Sequence, residues 1–260
     1  MNNQKYLIAA NWKQNGDSKS LTKLINDFIK SYKKTKPACE ILILPPSIYL
    51  NTISNRLSHH KISRKKISLG SQNISSFENG AYTGELSVDM TKDYNCTYAL
   101  IGHSERRHVF QEDEKTIAKK MQLSLASNMN TILCVGETIA EYNKKLTKKV
   151  ILRQLKSALI KSSVLLKSDH SKIIIAYEPV WAIGTGKTAS LDNISDVHSY
   201  IRNVLNKILG IKTNSIKILY GGSVNNLNAS SILSLSNVNG ALVGGASLNS
   251  KKFIDICSSI

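Results

Sequence analysis

Lys172-Ile-Ile-Ile-Ala-Tyr-Glu-Pro-Val-Trp-Ala-Ile-Gly-Thr-Gly-Lys-Thr188 is the stretch that decides the fold. The run Lys172 to Ala176 is too short for a helix and rich in β-branched residues, which predicts a buried strand. Glu178 therefore stands where a strand gives way to a loop. Pro179 fixes the backbone at one end of that loop, Gly184 and Gly186 loosen the other, and bulky Val180, Trp181 and Ile183 lie between, so the segment reads as a flap able to cover a small substrate. Two plainer readings stand beside it. Glu178 can cap or pair with a cation while the glycines serve a turn. Gly186-Lys187-Thr188 can also be taken for a phosphate-cradling P-loop, but that motif needs a glycine five positions before Gly186, where the chain has Trp181.

Outward from this stretch the same unit recurs. Apolar runs at Tyr6 to Ala10, Ile41 to Leu44, Ile67 to Gly70, Tyr98 to Ile101, Thr131 to Val135, Ile216 to Tyr220 and Ala241 to Val243 read as seven more strands. Stretches of helical period lie between most of them, among them Ser18 to Tyr32, Glu114 to Ser127, Lys148 to Leu165 and Asp192 to Leu209. Eight strands alternating with helices predict an α/β fold, a parallel sheet closed into a (β/α)8 barrel, with an open doubly wound sheet as competitor. Polar residues favour the barrel because they cluster just after strands: Asn11 and Lys13, Gln72 and Asn73, His103, Glu178, Gly221-Gly222-Ser223, and Gly244-Gly245. In a parallel barrel these ends share one face, the face that carries chemistry. No linker, repeat or low-complexity break divides the chain, so residues 1–260 read as a single domain.

Composition sets limits on function. At 260 residues and 42% hydrophobic content, one sizeable core can be buried. No apolar run reaches membrane-spanning length, and the short run after Tyr6 leads straight into polar Asn11-Trp12-Lys13, unlike a signal peptide, so the expected location is cytoplasmic. Cys39, Cys96, Cys134 and Cys257 show no paired metal spacing and suit reduced thiols. The formal charge of +17 raises the possibility of nucleic-acid binding. Against it, the lysines come as scattered pairs on helix faces and loops, with no stripe; a positive field would equally draw in a small anion.

Individual clusters sharpen the picture. Asn11-Trp12-Lys13 places two polar side chains at alternate positions after a strand, though a turn former and a solvated charge explain it as simply. In Gly102-His-Ser-Glu-Arg-Arg107, Ser104 and Glu105 read as the opening of a helix with His103 at its amino end. Backbone N–H groups and the helix dipole there disfavour a second ring proton; a satisfied structural histidine is the alternative. Tyr220-Gly-Gly-Ser-Val224 and Val243-Gly-Gly-Ala-Ser247 expose backbone N–H groups after the last two strands, an arrangement that favours anion binding, while a diglycine alone signals a turn. The segment Gln72 to Ser87 is long for a loop in a compact domain and reads either as decoration or as a docking loop that would make an oligomer.

With these motifs in order, the chain resembles the triosephosphate isomerase family along its whole length. The matching stretches are Asn11-Trp-Lys13, Gly70-Ser-Gln-Asn73, Gly80-Ala-Tyr-Thr-Gly-Glu85, Gly102 to Arg107, Cys134-Val-Gly-Glu137, Tyr177 to Lys187, Tyr220 to Val224 and Leu242 to Ser247. In that family the barrel, the closing loop and the neutral histidine are established features, and the resemblance implies them here. The resemblance implies a TIM barrel that interconverts dihydroxyacetone phosphate and D-glyceraldehyde 3-phosphate in glycolysis and gluconeogenesis, with no metal or other cofactor. It implies Glu178 as base, His103 as neutral electrophile, Lys13 as fixed positive charge and Asn11 as a further donor. Gly184, Ser223, Gly244 and Gly245 would hold the phosphate, Glu105 would partner the lysine, and Cys134 would stand behind the base. A homodimer is implied through the Gln72 to Ser87 loop, whose Thr83 would reach the partner's site. A relative acting on a longer sugar phosphate, such as a tetrulose phosphate, is the competing activity, and the flap motif argues against it. Two departures stand out: Asn239 replaces an aspartate that usually pairs with an arginine, expected here to be Arg202, and Gln14 replaces an often apolar interface residue.

Overall fold

The computed structural model describes residues 6–63, 65–160, 169–184, 188–210 and 213–260. Eight parallel strands pair in sequence order and close: β1 (Leu7–Asn11), β2 (Glu40–Leu44), β3 (Ile67–Ser71), β4 (Cys96–Ile101), β5 (Asn130–Val135), β6 (Ile173–Tyr177), β7 (Lys217–Tyr220) and β8 (Gly240–Val243). The barrel, rather than the open sheet, follows from β1 pairing with β8 as well as β2, with Ala9 opposite both Leu42 and Leu242. Every strand expected from the sequence is present, shifted by two residues at most at its ends. Outside lie α1 (Ser18–Thr35), α2 (Leu50–His59), α3 (Val88–Asp93), α4 (Ser104–His108), α5 (Glu114–Ala126), α6 (Ile139–Asn143), α7 (Thr147–Ile160), α8 (Leu191–Leu209), α9 (Ala229–Leu233) and α10 (Ser250–Cys257). The expected helix from Lys148 to Leu165 is described only to Ile160; its last residues lie outside the described ones.

Local chemistry explains the elements. Asp17 opens α1 by accepting from the Ser20 amide at 2.7 Å while the Ser20 hydroxyl accepts from the Asp17 amide at 2.9 Å, a reciprocal cap. Leu21, Ile25, Phe28 and Ile29 then form one buried stripe. Ser190 opens α8 by accepting from the Asn193 amide, and Gly210 ends it with φ of 66°, a left-handed turn that glycine adopts without a Cβ clash.

Strand alternation sorts the core into two compartments. Leu7, Ala9, Leu42, Leu44, Tyr98, Leu100, Ile132, Cys134, Ile174, Ala176, Leu219 and Leu242 fill the barrel interior. The alternate strand residues, such as Ile8, Ile43, Ile175 and Ile218, pack outward against helical stripes. Extending the inward parity one step past Leu7 and Ala9 gives Asn11; one step past Ile174 and Ala176 gives Glu178. Both side chains therefore face the open carboxyl mouth, over a floor of apolar residues.

One expectation about charge is corrected. Lys120, one of the paired lysines expected on the surface, is buried on α5. Its ammonium sits 2.5 Å from Glu112 Oε1 and 2.8 Å from Asn73 Oδ1. Arg106 also donates to Glu112 Oε1, through Nε at 2.7 Å. A buried cation is tolerated there because a carboxylate meets it, and together they tie α5 to the end of β3 and the start of α4.

Candidate active site

Glu178 is the centre of the site. Its amide donates to Val135 O at 2.8 Å, continuing the β5–β6 ladder past the last strand residue and fixing the side chain at the mouth. The carboxylate is buried, with Oε1 3.0 Å from His103 Nε2 and Oε2 accepting from the Ser104 amide at 2.8 Å. The backbone around it admits no side chain at two places. A Cβ on Gly136 would lie 1.8 Å from Glu178 O, and one on Gly221 would lie 2.9 Å from Glu178 Cγ. Gln154 holds the first of these glycines by accepting from its amide at 2.8 Å and donating to its carbonyl at 3.1 Å.

His103 caps α4, as the sequence predicted. Its Nδ1 accepts from the Glu105 amide at 3.3 Å, which needs that nitrogen unprotonated and leaves the ring proton on Nε2, facing Glu178. Burial disfavours the imidazolium, but Glu178 beside it outweighs burial and lifts the ring above its ordinary value, with Glu105 adding to the rise and Lys13 opposing it. For Glu178, burial pushes upward and is overcome by His103, the Ser104 amide and Lys13, so the carboxyl sits below its ordinary value. Glu178 is the leading upward influence on His103, while burial, Lys13 and the Glu105 amide that donates to Nδ1 all favour the neutral ring.

Lys13 supplies the positive charge. Its Nζ is 2.6 Å from Glu105 Oε1, and its backbone adopts φ of 51°, a left-handed conformation sparsely populated by side-chain-bearing residues. Asn11 Oδ1 accepts from the Lys13 amide at 3.0 Å, while Gln72 Nε2 donates to both Lys13 O at 2.9 Å and Leu44 O at 2.8 Å. The turn is thereby held from both sides. A Cβ on Gly244 would stand 3.6 Å from Lys13 Cε, so the end of β8 runs beside the lysine stem. Together Lys13, Gln72, His103 and Glu105 border an open cleft of about 580 Å³ that extends to exposed Val109 and Phe110.

Cys134 faces inward from β5 and touches the base from behind. Burial drives its thiol well above the ordinary range, and Glu178 reinforces this, so the sulfur stays protonated and unreactive.

The anion-binding expectations divide. Gly244 precedes a short 3-10 turn, Gly245–Leu248, and a Cβ on Gly245 would meet nothing, leaving its surroundings open. Ser223 is at the mouth, but its hydroxyl donates to Ala182 O at 2.7 Å, joining the β7 loop to the flap. Gly184 takes φ of 68° at the flap's far end. Gly186 and Lys187, the remaining glycine hinge and the lysine after it, lie outside the described residues. The near end of the flap is anchored by Trp181, whose ring packs 4.5 Å from Tyr142 and whose Nε1 donates to Glu137 Oε1 at 2.9 Å. Tyr177 OH donates to the same oxygen at 3.2 Å. Among the described residues no group of three or more His, Cys, Asp or Glu side chains is placed to hold a metal ion.

These features define a class: a (β/α)8 barrel whose carboxyl mouth gathers a buried carboxylate, an imidazole at a helix start and an ammonium group beside glycine loops. Such a set can move a proton at a carbon next to a carbonyl and hold the charge that results. The family model for triosephosphate isomerase matches residues 6–260. The chain is 43% identical over 252 residues to triosephosphate isomerase of Lawsonia intracellularis, covering 97% of each chain. It is 40% identical to that of Marinobacter nauticus over 253 residues, covering 97% of this chain and 96% of the relative. With that of Legionella pneumophila strain Paris it shares 40% over 254 residues and 98% of each chain. The chain belongs to the triosephosphate isomerase family.

Proposed function

We propose that this chain interconverts dihydroxyacetone phosphate and D-glyceraldehyde 3-phosphate, the isomerase step of glycolysis and gluconeogenesis, with Glu178 as the base. The observation that carries the assignment is the 3.0 Å approach of Glu178 Oε1 to His103 Nε2 at the same mouth as the Lys13 ammonium. Glu178 takes the pro-chiral proton from the carbon bearing the hydroxyl and returns it to the neighbouring carbon. His103 Nε2–H donates to the carbonyl oxygen as that oxygen gains charge and then passes protons between the two oxygens of the enediolate. Lys13 supplies fixed positive charge to the developing oxyanion, and Asn11 holds the lysine turn while offering a further donor. Glu105 fixes the ammonium, and Cys134 packs the base from behind. A positioned base contributes about 10²–10⁴-fold, and preorganised donors in a site shielded from water a comparable or larger factor.

The substrate phosphate is assigned to the backbone N–H groups of Gly184, Gly244 and Gly245, with Ser223. Closure of the flap brings Gly184 in, and the phosphate's binding energy is spent on holding the site shut over a reactive enediolate. Glu178 is held by His103 and the Ser104 amide, and attack on a carbon-bound proton requires the carboxylate to turn from Ser104 toward that carbon.

The chain acts as one domain, in the cytoplasm, and as a homodimer. Support for the dimer is the loop from Gln72 to Ser87, where Phe77 and Tyr82 stack at 4.2 Å with both rings exposed, together with the open cleft beside Lys13 into which a second copy's loop, led by Thr83, would fit. A coupled assay with glyceraldehyde 3-phosphate tests the activity, and no turnover would refute it. Light scattering at assay concentration tests the dimer, which a purely monomeric mass would exclude.

A further inference from the structure

Far from the mouth, α1 and α2 lie side by side on the barrel's outer face with a cavity of about 510 Å³ between them. Lys30 and Lys33 border it from α1; Arg56, His59 and His60 border it from the end of α2. The spacing of the two lysines stacks them on one helix face, about 4.5 Å apart along the axis. Ile29 supplies an apolar wall, and Asn26 adds a carboxamide. Some exposed lysines meet carboxylates, as Lys23 does Asp27 at 2.6 Å and Lys148 does Asp196 at 3.0 Å. Among the described residues Lys30, Lys33 and Arg56 form no ion pair, and Asp27, next to Asn26 on α1, is turned to Lys23.

A simpler account credits basic residues in a last helical turn with complementing the helix dipole. It covers Lys33, Arg56 and His59 one at a time. It does not cover their convergence with Lys30 on a single seam, where like charges repel and cost folding free energy unless an anion is bound.

We propose that the seam between α1 and α2 is a binding site for a condensed phosphate chain, distinct from the catalytic mouth. The cations come from two helices around a cavity of about 510 Å³, within the range of small-ligand sites and more than one phosphate group fills. No Phe, Tyr or Trp lines the cavity, and the five basic side chains around it suit a phosphate chain. Burial and the neighbouring Lys33, His59 and Arg56 all hold the His60 ring below its ordinary value, so it reports the field of the seam.

The test is calorimetric titration of the full chain with inorganic tripolyphosphate at about 100 mM salt, where diffuse attraction is screened. The catalytic mouth is kept filled with saturating glycerol 3-phosphate. One chain should bind one tripolyphosphate, with orthophosphate much weaker and the His60 ring titrating at higher pH once the anion is bound. Lys33→Glu and Arg56→Glu should each weaken binding roughly tenfold or more, a loss of about 1.4 kcal/mol per tenfold. Lys23→Glu, the same charge change on another face of α1, should not. Unchanged isomerase rates in all three variants verify that they fold. Equal affinity for adenosine triphosphate and tripolyphosphate marks the phosphate chain as the whole ligand; tighter binding of the nucleotide marks a nucleotide's chain as the source. Absence of binding with the mouth filled, equal weakening in all three variants, or retention of duplex RNA without tripolyphosphate binding would each overturn the proposal.

Discussion

Replacing Asn239 with aspartate should stabilise this protein. Arg202 Nη1 donates to Ile216 O at 2.7 Å and also to Thr213 O, and Nη2 donates to Asn239 Oδ1 at 3.0 Å. The guanidinium is thus well bonded but meets no carboxylate among the described residues, and desolvation lowers its value. Asn239 Oδ1 also accepts from the Ile218 amide at 3.1 Å, whereas its Nδ2 makes no hydrogen bond among the described residues. Aspartate is isosteric, keeps both acceptor bonds and loses no donor. The bond to Arg202 becomes charge-assisted, rising from about 1 kcal/mol to about 1.5–3 kcal/mol, and desolvation of the new carboxylate removes part of the gain. A net gain of about 1 kcal/mol should raise the melting temperature by roughly 2–4 °C for a chain of this size.

The sign with pH follows from Arg202. The guanidinium would hold the carboxyl introduced by Asn239→Asp below its unfolded value, so the gain is present above that value, near 4 for aspartate, and is lost as pH falls through the lower folded-state value. Thermal and urea melts of both proteins at pH 7 and at about pH 2.5 measure it. A gain that is absent at pH 7, or undiminished in acid, would refute the assignment of Arg202 as a half-buried cation with no carboxylate partner among the described residues.

Gly136→Ala should fold poorly or, if folded, lose about 10²-fold or more in turnover, because its Cβ meets the Glu178 carbonyl and must displace the base's own backbone; normal kinetics would show that the loop yields freely. For His103→Gln, turnover should fall, and the acid limb of kcat/KM should move to higher pH. His103 is the leading influence that keeps the buried Glu178 low, and its loss leaves burial, which raises the carboxyl; a pH–rate profile with an unshifted acid limb would count against the pairing.

Much of the fold was open to reading because its signals are local. Runs such as Ile173-Ile-Ile-Ala176 are too short and too branched for helices, and Asn11 and Lys13 stand at alternate positions just after a strand; which face of the all-buried run Leu7 to Ala10 points inward emerges only in the closed barrel. The helix start after His103 and the strand end before Glu178 were visible for the same reason. The rest depends on contacts distant in sequence. Gln72 carries no mark that its amide will bridge Lys13 and Leu44, and Gly136 looks like any turn glycine until the Glu178 carbonyl is placed against it. Lys120 reads as a surface charge because its partner Glu112 lies in an irregular stretch that no periodicity ties to α5. Ser223 was read for its backbone, and its hydroxyl is engaged with Ala182.

The account rests on Glu178 being the group that moves the proton. Glu178→Asp draws the carboxylate back by one methylene while keeping its charge. The steady-state rate with glyceraldehyde 3-phosphate should fall by about 10²–10³-fold, with KM, set mainly by the phosphate loops, changed little. Turnover equal to that of the unaltered chain would contradict the assignment of the base.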